Sequence, residues 1–174
     1  MDEGGDLLLQ RAVAGDEVAF DSLVGPLVEP GYRLALTMLG NPAEAEDAIQ
    51  EATIKAWRNL GTLRPGSTVR PWFMTIVANH CRSQRRSRWW SVLRMDAPER
   101  PQPGFEEATV RRADVSRALA RLDPDDRLVL HLRYLMDMSI EDVGRVVGIS
   151  PEAAKSRIHR AAARMRPMLS EFRR

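Results

Sequence analysis

The chain has 174 residues, of which 44% are hydrophobic and 29% charged, a composition typical of a soluble globular protein with one domain or two small ones. No apolar run approaches the roughly 20 residues of a membrane-spanning helix, and the acidic N-terminus is unlike a signal peptide. Cys81 is the single cysteine, which excludes an intramolecular disulfide, and the three histidines lack zinc-site spacing. We therefore expect a cytoplasmic protein without membrane insertion, metal or cofactor.

Charge is distributed unevenly along the chain. The net formal charge is −7 over residues 1–63, +7 over 64–94, −3 over 95–126 and +5 over 127–174. Two separate basic segments predict two contacts with a polyanion, because clustered cations repel each other unless an anionic partner is present. The acidic first segment predicts a different partner there, a protein.

Apolar residues recur at three- and four-residue spacing throughout, and hairpin signals are missing, so we expect an all-α fold. The first helix is predicted near residues 6–14. Asp16 is placed to cap a second helix. Gly25 and Pro26 predict a break or kink in that helix, with helical spacing resuming over 27–39.

The dipeptide Asn41-Pro42 predicts the start of the next helix, with asparagine as the cap and proline at the first helical position. We expect this helix to run to about Leu60 and to be followed by a loop over 61–68. A basic helix is then predicted from about residue 71 to residue 88. Its predicted buried residues are Trp72, Phe73, Ile76 and Val77.

Residues 89–109 interrupt the helical pattern with the proline-rich stretch "MDAPERPQPG". Prolines remove amide donors and favour extended backbone, so this segment is predicted to be a flexible linker. The expected plan is two small helical domains, residues 1–88 and 110–174, joined by that linker.

The stretch "MSIEDVGRVVGISPEAAKSRIHRAAARM" predicts two helices around a tight turn. Ser139 caps the first helix, Gly148 permits the sharp turn, and Ser150-Pro151 starts the second. This is the pattern of a helix-turn-helix.

The second helix of this pair has an apolar face and a polar face. Ala154, Ile158 and Ala161 share the apolar face, which leaves cationic and hydrogen-bonding side chains outside or flanking it. Those candidate DNA contacts are Lys155, Ser156, Arg157, His159 and Arg160. Such side chains bind base edges or phosphates in the major groove, although a charged helix face is by itself more often merely solvated.

Two further helical faces carry candidate contacts. The basic helix presents a polar amide and arginines to nucleic acid: Asn79, Arg82, Arg85 and Arg86. The helix over 42–60 presents Asp47, Gln50 and Glu51, for which a protein contact and a solvated surface are equally compatible with the pattern.

The segments "AEAEDAIQEATIKAWRNL", "VRPWFMTIVANHCRSQRR" and "LDPDDRLVLHLRYLMDMSIEDVGRVVGISPEAAKSRIHRAAARM" together resemble an extracytoplasmic-function (ECF) type sigma factor of bacterial RNA polymerase. The resemblance covers about residues 19–88 and 113–166. It implies a sigma region 2 helical bundle and a sigma region 4 helix-turn-helix. The implied function is promoter recognition, DNA melting and transcription initiation, without enzymatic activity or a small-molecule substrate.

The resemblance also implies roles for the candidate faces. Asp47, Gln50 and Glu51 would bind core RNA polymerase at the β′ clamp, and the β subunit and promoter DNA are further implied partners. The minus-10 element would be bound by Asn79, Arg82, Arg85 and Arg86, with the 61–68 loop and Asn79 capturing a flipped base. The minus-35 element would be read by Lys155, Ser156, Arg157, His159 and Arg160.

An anti-sigma protein is a common partner in the family, although no residue of this chain demonstrates one. The alternative function is a helix-turn-helix transcriptional regulator that acts without polymerase. Such regulators usually dimerise on paired half-sites. No dimerisation helix is evident in this sequence, and the basic helix would have no use.

Overall fold

A computed structural model describes residues 3–63, 67–92, 115 and 117–171. The first half contains α1 (Glu3–Val13), α2 (Glu17–Leu39), α3 (Pro42–Asn59) and α4 (Val69–Val92), with a 3₁₀ turn, Leu60–Thr62, after α3. The second half contains α5 (Pro124–Leu130), a π-helical turn (His131–Leu135), α6 (Ile140–Val147) and α7 (Pro151–Glu171). Residues 117–120 are also helical. The all-α prediction is confirmed, and the described part of the chain contains no strand.

The helix boundaries in the first half follow local capping signals. Asp16 accepts a hydrogen bond from the Ala19 amide over 3.1 Å, and Asn41 accepts one from the Glu44 amide over 3.2 Å. Each cap satisfies an amide that has no partner within its helix. Gly40 ends α2 in the left-handed conformation, at φ 72°.

Of the break or kink predicted at Gly25-Pro26, the break is wrong, because α2 continues through Pro26 and Pro30 to Leu39. Packing outweighs the lost backbone hydrogen bonds, since α2 contacts both α3 and α4. Gly31 permits this close approach: a Cβ atom there would lie 2.6 Å from Ile49 Cδ1. Gly31 therefore serves helix packing.

The core of the first half lies between α2, α3 and α4. Its largest fully buried side chains include Leu34, Met38, Phe73 and Met74. The Phe73 and Val77 predictions are confirmed, while Trp72 and Ile76 are only half-buried. The basic helix α4 begins at Val69 and runs to Val92, four residues past the predicted boundary at 88. Most of the predicted linker, and the start of the helix expected from residue 110, lie outside the described residues.

The second half contains the predicted helix-turn-helix. Ser139 accepts from the Asp142 amide over 3.0 Å, and Ser150 accepts from the Ala153 amide over 3.2 Å. Gly148 turns the chain at φ 80°. Between the helices, a Cβ at Gly144 would lie 2.9 Å from the Ile149 carbonyl oxygen, so α6 packs tightly against the turn.

The two halves contact each other. Helix α4 packs against α6, and α2 packs against α5 and the π-helical turn. Within the described ranges, no helix has both the length and the apolar character needed to cross a membrane.

Candidate nucleic-acid and polymerase interface

Helix α7 presents a polar surface directly after the turn. Its inner face is buried through Ala154, Ile158 and Ala161, as predicted. Facing solvent on the other side are Lys155, Ser156, His159 and Arg160. Together these four supply cationic donors, a hydroxyl and an imidazole, the groups that bind phosphates and base edges.

Arg157 lies differently from its four neighbours. Its side chain is 29% exposed, and its Nε donates to Asp126 Oδ1 over 3.2 Å. Arg164 donates to the other oxygen of the same carboxylate over 2.6 Å. Asp126 is only 5% exposed, so two guanidinium groups of α7 compensate a buried charge on α5. Arg157 thus holds α7 against α5.

The basic face of α4 is only partly free. Asn79, Arg85 and Arg86 are exposed, as a nucleic-acid contact requires. The Arg82 side chain is 25% exposed, and its Nε donates to Asp125 Oδ1 in the second half over 3.0 Å. Residues 64–66 of the predicted base-capturing loop, and the side chains of Arg88, Trp89 and Trp90, lie outside the described residues.

Helix α3 presents Asp47, Gln50 and Glu51 to solvent, opposite its buried alanines. Ile54 and Trp57, 43% and 38% exposed, follow one and two turns farther along the same face. Sequence reasoning did not select these two, although Ile54 lies seven residues after Asp47 and Trp57 seven after Gln50, a spacing that places them on one helix face. An apolar surface bordered by acidic groups is typical of a protein contact.

Two titratable side chains of α4, Cys81 and His80, have pKa values shifted mainly by burial. Burial raises the pKa of the Cys81 thiol to about 12, despite the opposing field of Arg82 and Arg85. Burial, followed by the charge of Lys55, lowers the pKa of His80, whose Nδ1 lies 3.0 Å from Lys55 Nζ. Across the ranges that the structure describes, no three potential metal ligands come together.

Comparison with known proteins relates both halves to one family. Residues 23–91 match the model of Sigma-70 region 2, and residues 118–167 match that of Sigma-70, region 4. The chain is 32% identical over 149 residues to the ECF RNA polymerase sigma factor SigL of Mycobacterium tuberculosis, covering 81% of this chain and 83% of SigL. It is 31% identical over 169 residues to the RNA polymerase sigma factor CarQ of Myxococcus xanthus, covering 94% of this chain and 97% of CarQ.

Solved structures agree with these relationships. The sigma factor RpoE from Bartonella quintana, in complex with the anti-sigma factor NepR, superposes with a TM-score of 0.81 at 26% identity, covering 87% of this chain and 96% of RpoE. CnrH, in complex with the cytosolic domain of CnrY, gives a TM-score of 0.75 at 25% identity, covering 97% of this chain and 99% of CnrH. The helix-turn-helix, the basic helix and the acidic helix are thus parts of one promoter-recognition subunit. The chain belongs to the ECF family of RNA polymerase sigma factors.

Proposed function

We propose that the faces of α3, α4 and α7 divide the work of this sigma factor. The first domain, which we place at residues 1–88 with α4 extending it to Val92, binds core polymerase and the minus-10 element. The second, at residues 110–174, reads the minus-35 element. The intervening segment links them, so that each weak reader raises the local concentration of the other.

In this proposal α7 lies in the major groove upstream. Lys155, Ser156, His159 and Arg160 contact DNA, because these four side chains face solvent beyond the capped turn. This outward group is the observation that carries the proposal. Arg157 orients α7 through its ion pair with Asp126. Its contact with DNA is with a phosphate at the edge of the groove.

The basic face of α4 binds the melted minus-10 strand. Arg82, Arg85 and Arg86 follow its phosphates, and Asn79 with the 61–68 loop receives a flipped base. Flipping costs a few kcal/mol of stacking. Strand capture and polymerase binding offset this cost, so the isolated protein binds DNA weakly and in a salt-sensitive manner.

Helix α3 docks on the β′ clamp through Asp47, Gln50 and Glu51, and Ile54 and Trp57 extend this contact. The β subunit of the polymerase is a second contact of the sigma factor.

Within the cytoplasm, the protein acts by binding and performs no covalent chemistry. One relative of known structure, the sigma factor RpoE, is in complex with the anti-sigma factor NepR. We extend that mode of control to this chain.

Transcription in vitro tests the proposal. Purified protein is added to sigma-free core polymerase and a promoter library, and start-site-specific transcripts are sequenced. We expect specific initiation that requires both polymerase and protein. Tight sequence-specific binding by the protein alone, with no specific initiation on any template, would identify a polymerase-independent regulator instead.

A further inference from the structure

The two domains are joined by polar contacts that bury groups from both. Arg82 on α4 pairs with Asp125 on α5 over 3.0 Å. Thr37 on α2 forms a 2.8 Å hydrogen bond with His131 Nδ1, and its carbonyl oxygen accepts from Arg127 over 3.1 Å. These five side chains and the Thr37 carbonyl are here called the interdomain contact.

A second arginine of α4 is also occupied by the second domain. Arg70 donates to the carbonyl oxygen of Met136, just after the π-helical turn. Arg70 and Arg82 thus both donate to the second domain, although Arg70 itself remains exposed, as do Arg85 and Arg86. The second domain covers part of the helix face that the proposed function assigns to DNA.

The group that occupies Arg82 has the chemistry of its proposed ligand. A carboxylate and a phosphate both offer an anionic oxygen pair to a guanidinium, and one guanidinium binds one such partner at a time through the same donors. Asp125 therefore stands where a DNA phosphate would bind. Elsewhere between the domains, Glu141 and Asp142 of α6 border a cleft opposite Ser67 and Trp72 of the first domain.

We propose that the free protein adopts a closed, self-inhibited arrangement in which Asp125 competes with the promoter strand for Arg82. Strand capture requires the domains to separate. The inference rests on the proposed role of α4 and adds the second domain as the intramolecular competitor for its basic face.

The interdomain contact is suited to reversible opening. Asp125 and Arg82 are partly exposed, and pairs of this kind contribute little to stability in salt. Arg127 Nε is buried without an acceptor among the described residues. A buried donor without an acceptor costs free energy, which makes the closed arrangement less stable. DNA or polymerase therefore has a small free-energy difference to overcome.

Domain separation in the full-length protein is measured by energy transfer between dyes. The dyes are attached at Ala43→Cys on α3 and Ala163→Cys on α7, two exposed positions. Asp125→Asn and Arg82→Gln should each raise the open fraction by about two- to fivefold at low salt, the range expected for one exposed pair. The double variant should open no further than either single variant, because each removes the same contact between the domains, whereas the 3.8 Å pair of Asp125 with Arg157 lies within the second domain.

Asp137→Asn is the matched control, since Asp137 is a carboxylate of the same domain with a 97% exposed side chain. The control measures the general effect of removing one negative charge. Affinity for a fluorescent single-stranded minus-10 oligonucleotide should rise severalfold more in Asp125→Asn than in Asp137→Asn. An equal rise in both variants, or opening by only one of the two partner substitutions, would overturn the proposal. The proposed function is tested separately, by promoter-directed transcription with core polymerase.

Discussion

Asp126 accepts a hydrogen bond from Arg164 over 2.6 Å, which joins α5 to the middle of α7. Arg157 occupies the other carboxylate oxygen. Since Asp126 is buried, its charge is tolerated only with these partners. This pairing fixes the position from which α7 presents its outward side chains.

Replacing Asp126 with asparagine should destabilise the protein and weaken minus-35 recognition together. The amide keeps the shape of the carboxylate but removes the negative charge with which Arg157 and Arg164 both pair, and leaves Arg157 with only the longer contacts to Asp125 and Asp123, over 3.8 and 4.0 Å. We expect the free energy of unfolding to fall by about 2 kcal/mol, within the range for breaking a buried charged hydrogen bond. Urea denaturation measures the loss. Glu141→Gln, at an exposed position of the same domain, should leave it unchanged.

His131 should make stability depend on pH. Burial, and then the charge of Arg33, lowers the pKa of His131 to about 4, below the ordinary value of 6.5. The unfolded chain therefore binds more protons between these values, so the free energy of unfolding is greatest above pH 6.5 and falls as the pH decreases toward 4. For this one group the loss between pH 7 and pH 5 should be about 2 kcal/mol.

Urea titrations of the wild type and of His131→Gln at pH 7, 6 and 5 measure this contribution. The variant should show a flatter pH dependence, because glutamine does not titrate. His159→Gln, which replaces an exposed histidine on α7 in the same way, is carried through the same titrations as the matched control. Equal slopes for the wild type and His131→Gln would show that His131 is not held neutral by burial.

Cys81 should resist alkylation in the folded protein. Neighbouring arginines alone would favour the thiolate, but burial is the larger effect and raises the pKa of Cys81 to about 12. At pH 8 we expect iodoacetamide to label native protein far more slowly than urea-unfolded protein, as measured by mass spectrometry. The introduced thiol of Ala163→Cys, exposed on α7, should react rapidly under the same native conditions and serve as the control.

Local signals in the sequence predict the helix boundaries well. The caps at Asn41, Ser139 and Ser150 form as predicted, because each depends on an amide only three residues away. The helix-turn-helix and its outward side chains follow from the same short-range rules. The polar face of α3 was also predicted, since helical spacing alone places it opposite the buried alanines.

Long-range packing accounts for what the sequence did not predict. Helix α2 continues through Pro26, and at Gly31 it approaches α3 and α4 closely; a propensity rule does not include such packing. The pairs of Asp125 with Arg82 and of Asp126 with Arg157 join residues 43 and 31 positions apart. The sequence alone shows that these residues are charged but does not show which of them pair with each other.

Ile54 should contribute to polymerase binding. It is 43% exposed beside the acidic residues of α3, so Ile54→Ser removes apolar contact area without creating a cavity. We expect affinity for core polymerase to fall about tenfold, near the 1.4 kcal/mol that a partly buried aliphatic side chain supplies at an interface. Val18→Ser, at a more exposed position on α2, is the control and should bind as the wild type does. Equal affinities for both variants would place the polymerase contact elsewhere.

Arg160 should decide minus-35 preference. It is exposed on the outward face of α7, and no ion pair holds it among the described residues. Loss of a base contact of this kind costs about 1–3 kcal/mol, so Arg160→Ala should lower transcription from a minus-35-dependent promoter by roughly 5- to 150-fold. Binding to core polymerase should be unchanged, since α3 is untouched. Arg166→Ala removes an exposed arginine two turns farther along α7 and should weaken DNA binding slightly and equally on all promoters. If Arg160→Ala retained the promoter ranking of the wild type, the reading face would have to lie elsewhere on α7.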